Sequence, residues 1–326
     1  MPESLFANAR TYAGEAVPNL TIPIKGNTDV ALEEVIEEIK FKGKGRLERR
    51  FANLFRRSID EILDGPRTKR FDFGRVSGPE KSYLGTKVEI IARAEFDFGD
   101  GRHLDYLIAG HEVDAKFSAT GDWMIAPKNV GQIILVMEAS EQTSQFSVGV
   151  VRAHPDLLRP APTRDRKRSF HSAGKKSIRW LIRDSNYPRN QLMEWHREDP
   201  EAVDAIFATV GGGQPRVNEL FRRKQRILIS KLTVDTVAAQ EDSSKRVRDA
   251  RIDLRKDGIL ILGYQERHRR IGAALGIPHI RQGEWASITV HPAEPDCTAP
   301  IFLNDGVAYR MAKKGDVPVP APEIPS

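Results

Sequence analysis

The spacing of apolar residues in the first half of the chain predicts two helices followed by a run of strands. Leu32, Val35, Ile36 and Ile39 recur at helical intervals, and Thr28 or Asp29 just upstream supplies an N-cap. Gly43 and Gly45 interrupt that pattern. It resumes from about Arg46 to Asp64, with Leu47, Phe51, Leu54, Phe55, Ile59 and Ile62 on one side and Gly65-Pro66 as the stop. The outer face of this second helix carries Arg46, Arg49, Arg50, Arg56 and Arg57, which are either solvated or placed to touch phosphate. Before these helices, residues 1–27 show no periodicity and read as an irregular lead-in. From Lys87 the period changes to two, and strands are expected over 87–92, 104–109, 112–118, 133–138 and 146–153. Helices packed around such strands make an α/β domain on a mixed sheet.

The second half reads differently. Residues 159–176 are rich in Pro, Ser, Lys and Arg and poor in apolar residues, the composition of a basic linker. This divides the chain into one domain over 1–158, a linker over 159–176, a second domain over 177–317, and a Pro-rich, disordered tail over 318–326. Within the second domain, 217–231 reads as an amphipathic helix. Thr233 then caps a short helix over 234–240, a turn falls at 241–243, and a longer helix covers 244–256 until Asp257-Gly258 ends it. A strand over 259–262 follows, in the place of a wing. Helix, short turn, basic helix is the helix-turn-helix order, and with the strand it predicts a winged-helix, CAP-like domain.

Charge sharpens that reading. The whole chain carries a formal net charge of +6. Between Phe221 and Lys256 there are eleven basic residues against five acidic ones, and the difference of six equals the excess of the entire protein. A local concentration of this kind is the footprint of a nucleic-acid contact. At 326 residues the chain has room for two domains of ordinary size. A single cysteine, Cys297, excludes an intrachain disulfide and a Cys-built zinc site. No stretch approaches the roughly 20 apolar residues of a membrane span, and the first residues lack a secretory signal pattern. The expectation is a cytoplasmic protein with no membrane association.

The segment richest in chemistry is 103–117. On a strand over 112–117, alternation places Glu112, Asp114 and Lys116 on one face and Val113, Ala115 and Phe117 on the other. If a two-residue turn at Ala109-Gly110 closes a hairpin, Ile108 faces His111 and Asp105 faces Asp114; a longer loop would shift that register. Opposed like charges destabilise a sheet, so two facing carboxylates require a compensating cation. Oxygen donors of this kind suit Mg2+, which takes one or two carboxylates and completes its shell with water and phosphate oxygens. Glu89 on the strand expected at 87–92 is a further candidate donor, and Glu112 competes for the place of Asp114. Lys116 is placed to stabilise developing negative charge. The plain alternative for the Asp-x-Lys triplet alone is a solvated strand edge with alternating ion pairs.

Glu89, Asp105 and Asp114-Ala115-Lys116 together resemble the PD-(D/E)xK nuclease core. More narrowly, GTKVEI at 85–90, the spacing from Asp105 to Asp114-x-Lys116 and a basic second domain resemble the NaeI family of type II restriction endonucleases over roughly residues 30–290. The resemblance implies an Mg2+-dependent homodimer that hydrolyses double-stranded DNA at a short, GC-rich palindrome and leaves 5′-phosphate ends. Both domains would bind DNA, one copy acting as effector while another is cut. It also implies catalytic roles for Asp105, Asp114, Lys116 and Glu89, with Asp105, Asp114 and Glu89 holding the metal. Leu104 stands where the family motif has proline.

Ser243 at the end of the turn, with Ser244 and Lys245 at the start of the basic helix, are expected at the DNA backbone. Lys245, Arg248 and Arg255, with Arg251, fall within one broad face, and Arg248 or Arg251 reaches base edges. His268, Arg269 and Arg270 extend the same surface, and Trp180, Trp195 and Trp285 read as core or interface residues. Two other functions compete: a winged-helix transcriptional regulator with a non-catalytic N-terminal domain, and a structure-specific repair nuclease.

Overall fold

The computed structural model describes residues 24–25, 28–160 and 165–324; apart from residues 24 and 25, the lead-in lies outside them. The described residues form two compact units, one within 1–58 and 82–188 and the other within 59–81 and 189–326.

In the first unit, helix α1 (Val30–Lys42) is N-capped by Asp29, whose carboxylate accepts from the Leu32 N–H at 3.1 Å. Its buried stripe is Leu32, Val35, Ile36 and Ile39. Helix α2 (Leu47–Leu63) starts in this unit and buries Phe51, Leu54 and Phe55 here. Each such side chain contributes about 1.5–3 kcal/mol by leaving water. Two of the outer-face arginines are structural. Arg50 pairs with Glu95 at 2.7 Å and lies over the Phe96 ring, and Arg56 reaches the Glu141 carboxylate at 3.0 Å.

Helix α3 (Gly78–Phe96) corrects the first predicted strand. Leu84, Val88, Ile91, Ala92 and Phe96 are its buried residues, a 3–4 spacing that a window limited to 87–92 cannot separate from alternation. Glu89 is therefore on a helix.

The sheet has six strands: β1 (Gly99–Asp100), β2 (Tyr106–Ile108), β3 (His111–Ser118), β4 (Ile133–Ser140), β5 (Gln145–Arg152) and β6 (Arg179–Asn186). They lie side by side in chain order. Strands β3 and β4 are parallel, and every other neighbouring pair is antiparallel. A parallel pair cannot be closed by a hairpin, so residues 119–132 cross over, carrying a 3-10 turn at Pro127–Asn129. Strand β4 is covered on both faces, with Ile133 through Met137 all buried.

The expected linker is part of this unit. Arg168 pairs with Ile125 through backbone bonds, Phe170 is fully buried, and β6 pairs with β5. Polar composition marks the segment as a connection, but a few apolar anchors and backbone pairing hold its described residues to the sheet.

The second unit contains α4 (Gln191–Glu198), α5 (Pro200–Ala208), α6 (Gly213–Arg223), α7 (Lys231–Ala238), α8 (Ser243–Arg255) and α9 (Glu266–Ala274). Its sheet runs β7 (Ile259–Leu262), β8 (Glu284–Pro292), β10 (Val307–Met311) and β9 (Ile301–Asn304), in that spatial order. The amphipathic helix expected over 217–231 ends earlier, at Arg223, and Arg226 follows with a left-handed φ of 64°. Residues 59–81 also belong here. Phe71 joins the core of Val203, Val217, Phe221 and Val247. A side chain at Gly65 would stand 2.3 Å from the Thr236 hydroxyl, so only glycine fits.

Between α7 and α8 the chain turns at Ala239, which has a left-handed φ of 56°. Asp235 on α7 is buried, pairs with Lys231 at 2.6 Å and accepts from the Ser243 N–H at 2.8 Å. That carboxylate caps the start of α8 from a neighbouring helix and fixes the turn. The tail expected to be disordered is packed as far as it is described. Ala321 is buried; its N–H donates to the Arg255 carbonyl, and its own carbonyl accepts from the Arg255 guanidinium. Ile324 covers the core around Ile271 and Ile288. Among the described residues, no helix is long and apolar enough to cross a membrane.

Candidate functional site

The hairpin of β2 and β3 is closed by Ala109 and Gly110, both with positive φ, 50° and 80°. Two consecutive left-handed residues are the geometry of a two-residue hairpin turn that matches strand twist. The pairs Ile108–His111, Leu107–Glu112 and Tyr106–Val113 follow from that turn. The same register carried one residue further sets Asp105 opposite Asp114.

Asp105 lies just before β2, and its carboxylate accepts from the Ala115 N–H at 2.7 Å. Asp114 is only 3% exposed. One of its oxygens takes the Lys116 ammonium at 2.6 Å and the Asn129 amide N–H at 2.8 Å. Lys116 also donates to the Ala115 carbonyl at 2.8 Å. Glu89 reaches this cluster from α3. The fold thus gathers Glu89 from a helix, Asp105 from the loop before β2, and Asp114 and Lys116 from β3.

The electrostatics record that gathering. Burial, together with the nearby Asp105 and Asp114 charges, pushes Glu89 up to about 7, while Lys116 and Arg93 oppose the shift. Burial likewise raises Asp114 to about 6; Lys116 works against this, and Asp105 adds to it by like charge and by sharing a hydrogen bond. Carboxylates forced together in low dielectric resist ionisation unless a cation joins them. Among the described residues, no group of three His, Cys, Asp or Glu side chains is placed to hold a metal ion by itself. Mg2+ does not need one, because water and phosphate oxygens fill most of its shell. Two close carboxylates with a third nearby fit that ion's donor chemistry.

Glu112 is committed elsewhere. Its carboxylate accepts from three successive backbone N–H groups, Arg102 at 2.7 Å, His103 at 3.2 Å and Leu104 at 2.9 Å. Burial pushes it up, but those three bonds outweigh burial and hold it below the ordinary carboxylate range. It does not compete for the place of Asp114. Asn129, absent from the residues that the sequence singles out, comes from the crossover and is 1% exposed. Neither strand alternation nor hairpin spacing reaches it, so no sequence signal marks it.

In the second unit the six residues expected to meet DNA separate into two groups. Ser244, Lys245 and Arg248 are exposed on the outer face of α8, with Lys245 held by Asp249 at 2.7 Å. Ser243 is 1% exposed, because its backbone is drawn under α7 by Asp235, so its hydroxyl is withdrawn from any phosphate. Arg251 is partly buried, donates to the Ile261 carbonyl at 3.0 Å, and lies over β7 rather than outward. Arg255 donates to the Ala321 carbonyl at 3.0 Å and pairs with Glu323 at 3.0 Å. His268 is also buried, its imidazole pushed down to about 4 by burial and by Arg251, and it leaves the expected contact surface. Trp195 and Trp285 are buried in the core, as the sequence implies.

Comparison with known proteins decides the family. The profile of the family described as Restriction endonuclease NaeI matches residues 40–320. The type II restriction enzyme NaeI of Lentzea aerocolonigenes is 38% identical over 285 residues, spanning 85% of this chain and 89% of that protein. The chain belongs to the NaeI restriction endonuclease family. It is therefore a type II restriction endonuclease, a site-specific deoxyribonuclease. Within the NaeI family assignment, the regulator with a silent first domain loses its support.

Proposed function

We propose that this NaeI-family enzyme cuts double-stranded DNA at a short, GC-rich palindrome by a PD-(D/E)xK mechanism that depends on Mg2+. The observation that carries this reading is the convergence of Asp105, Asp114, Lys116 and Glu89 at the β2–β3 hairpin and α3. Asp105 and Asp114 hold the ion, with Glu89 as a further carboxylate. When bound, Mg2+ would polarise the scissile phosphate and acidify the attacking water. Lys116 supplies positive charge where the phosphate oxygens gain negative charge, and Asn129 and Lys116 keep the Asp114 carboxylate aimed. Glu89, with its pKa raised to about 7, either joins the ion or carries a proton. Water adds to phosphorus and its proton passes to a base or to solvent, while the P–O3′ bond breaks and O3′ takes a proton from solvent. The products are a 5′-phosphate and a 3′-hydroxyl.

The second unit acts as a winged-helix-type DNA-binding module, with α7, the turn and α8 as its helix-turn-helix. Ser244, Lys245 and Arg248 form the exposed part of its reading face. A homodimer follows from the need to cut two symmetry-related strands. The family likeness supports a second DNA copy as effector and a cytoplasmic place of action.

The test is digestion of several plasmids with Mg2+, followed by sequencing of the ends. Discrete fragments sharing one palindrome and carrying 5′-phosphates support the reading. Random nicking, or no cutting by folded protein that still binds DNA, overturns it.

A further inference from the structure

Asp105 carries half of the proposed metal site, yet it stands at the end of a loop rather than within a strand. Strand β1 ends at Asp100 and β2 begins at Tyr106, so residues 101–105 must be held by something other than sheet pairing. Three features do this. Glu112 of β3 accepts from the N–H groups of Arg102, His103 and Leu104. These are the three residues that immediately precede Asp105. Gly101 closes the turn so tightly that a side chain there would stand 2.4 Å from the Leu104 carbonyl and 2.8 Å from the Glu112 carboxylate. On the far side, Arg93 of α3 donates to the Asp105 carbonyl at 2.8 Å and pairs with Asp100 at 2.7 Å.

We infer that Glu112 is a positioning residue for Asp105: its carboxylate clamps the backbone of residues 102–104 and thereby sets the Asp105 carboxylate against β3 at the height of Asp114. This deepens the proposed nuclease site and rests on that reading. The chemistry favours an ionised carboxylate in this role. One oxygen takes the Arg102 N–H and the other takes both the His103 and Leu104 N–H groups. Glutamine at this position presents one acceptor oxygen and one N–H2 group, so at least one backbone N–H would face another donor. Alanine would leave all three without the partner. Groups that orient a metal-holding carboxylate typically change activity about 10–100-fold when removed.

The experiment compares wild type with Glu112→Gln, Glu112→Ala, Gly101→Ala and Asp105→Asn. Three quantities are read: single-turnover cleavage at saturating DNA and Mg2+, DNA affinity in EDTA, and hydrogen exchange at the amides of residues 102–104. The clamp predicts graded rates, wild type above Glu112→Gln above Glu112→Ala, with losses of about 10–100-fold, unchanged DNA affinity and faster exchange at those three amides. Gly101→Ala crowds the same loop and the Glu112 carboxylate without removing the charge and is expected to match Glu112→Ala, which covers the case in which Glu112→Ala does not fold. Faster exchange at residues 102–104 with wild-type cleavage rates in folded Glu112 and Gly101 variants overturns the inference. If instead Asp105→Asn cuts like wild type, the site reading itself fails, and that outcome is separate from a failure of the clamp.

Discussion

The Asp105 carboxylate accepts a hydrogen bond from the Ala115 amide at 2.7 Å, one residue past Asp114 on the neighbouring strand. This bond joins the two halves of the hairpin at the level where the acidic cluster sits. It uses an oxygen of Asp105 to hold the loop to β3, and it draws the two carboxyl groups together. The repulsion that results adds to burial in raising the pKa of Asp114. A bound cation would relieve it, which is why the cluster supports the proposed metal site.

The first prediction concerns Glu89. Its pKa is raised from 4.5 to about 7 in the folded protein. A raised carboxyl pKa gives stability that is present below pH 4.5 and is lost as pH climbs through about 7. Glu89→Gln removes that charge. In EDTA the variant should therefore unfold with wild type at pH 4 and exceed it at pH 8 by about 1–2 kcal/mol, a figure discounted for partial solvent screening. Thermal melts at the two pH values give the answer. Equal stability at pH 8 would mean that Glu89 is not strained by the cluster.

Asn129 gives a second prediction. Among the described residues, its buried amide is the one neutral side-chain donor on Asp114, at 2.8 Å. Asn129→Ala should slow cleavage by about 10–100-fold and raise the Mg2+ concentration needed for half-maximal rate, with DNA affinity in EDTA unchanged. A Mg2+ titration of single-turnover rates tests this. An unaltered metal requirement would reduce Asn129 to a packing residue.

A third prediction separates the residues of α8. Lys245→Ala and Arg248→Ala should each weaken DNA binding and flatten the dependence of log affinity on log salt, by about 0.9 for each phosphate no longer neutralised. Ser243→Ala and Arg255→Ala should leave that slope alone, because one hydroxyl is buried and the other side chain is bound to Ala321 and Glu323. Salt titrations of the four variants distinguish the two groups. A fall in slope for Arg255→Ala would place the C-terminal segment off α8 when DNA is bound.

The hairpin turn yields a fourth. Ala109 sits at φ 50°, where a non-glycine residue is strained. Asparagine in its place would complete the Asn-Gly pair that this turn prefers, so Ala109→Asn should raise stability by about 0.5–1 kcal/mol with cleavage unchanged. Destabilisation in a denaturant melt would contradict the turn geometry.

The hairpin can be read from sequence because its information is local. Ala109-Gly110 and the alternation beyond it determine which residues oppose one another, and the observed pairs follow that register. The α7–turn–α8 element is legible for the same reason, with Thr233 replaced by Ser230 as the residue that caps α7. Glu89 reads as part of the cluster although its element does not read as a helix. In 87–92 the apolar residues fit two periods, and only the burial of Leu84 and Phe96 on either side selects the helix. The segment over 159–176 reads as a linker because composition averages away single anchors such as Phe170. Asn129 and the clamp of Glu112 are beyond reach, since each depends on a loop path that no periodicity encodes.

The most direct test of the account is the rate of DNA cleavage in Mg2+ by wild type, Asp114→Ala and Lys116→Ala, with DNA affinity in EDTA measured on the same preparations. The account predicts that both variants lose at least about a hundredfold in cleavage rate while binding DNA like wild type. Wild-type cutting by folded Asp114→Ala or Lys116→Ala would contradict it and move the active site away from the β2–β3 hairpin.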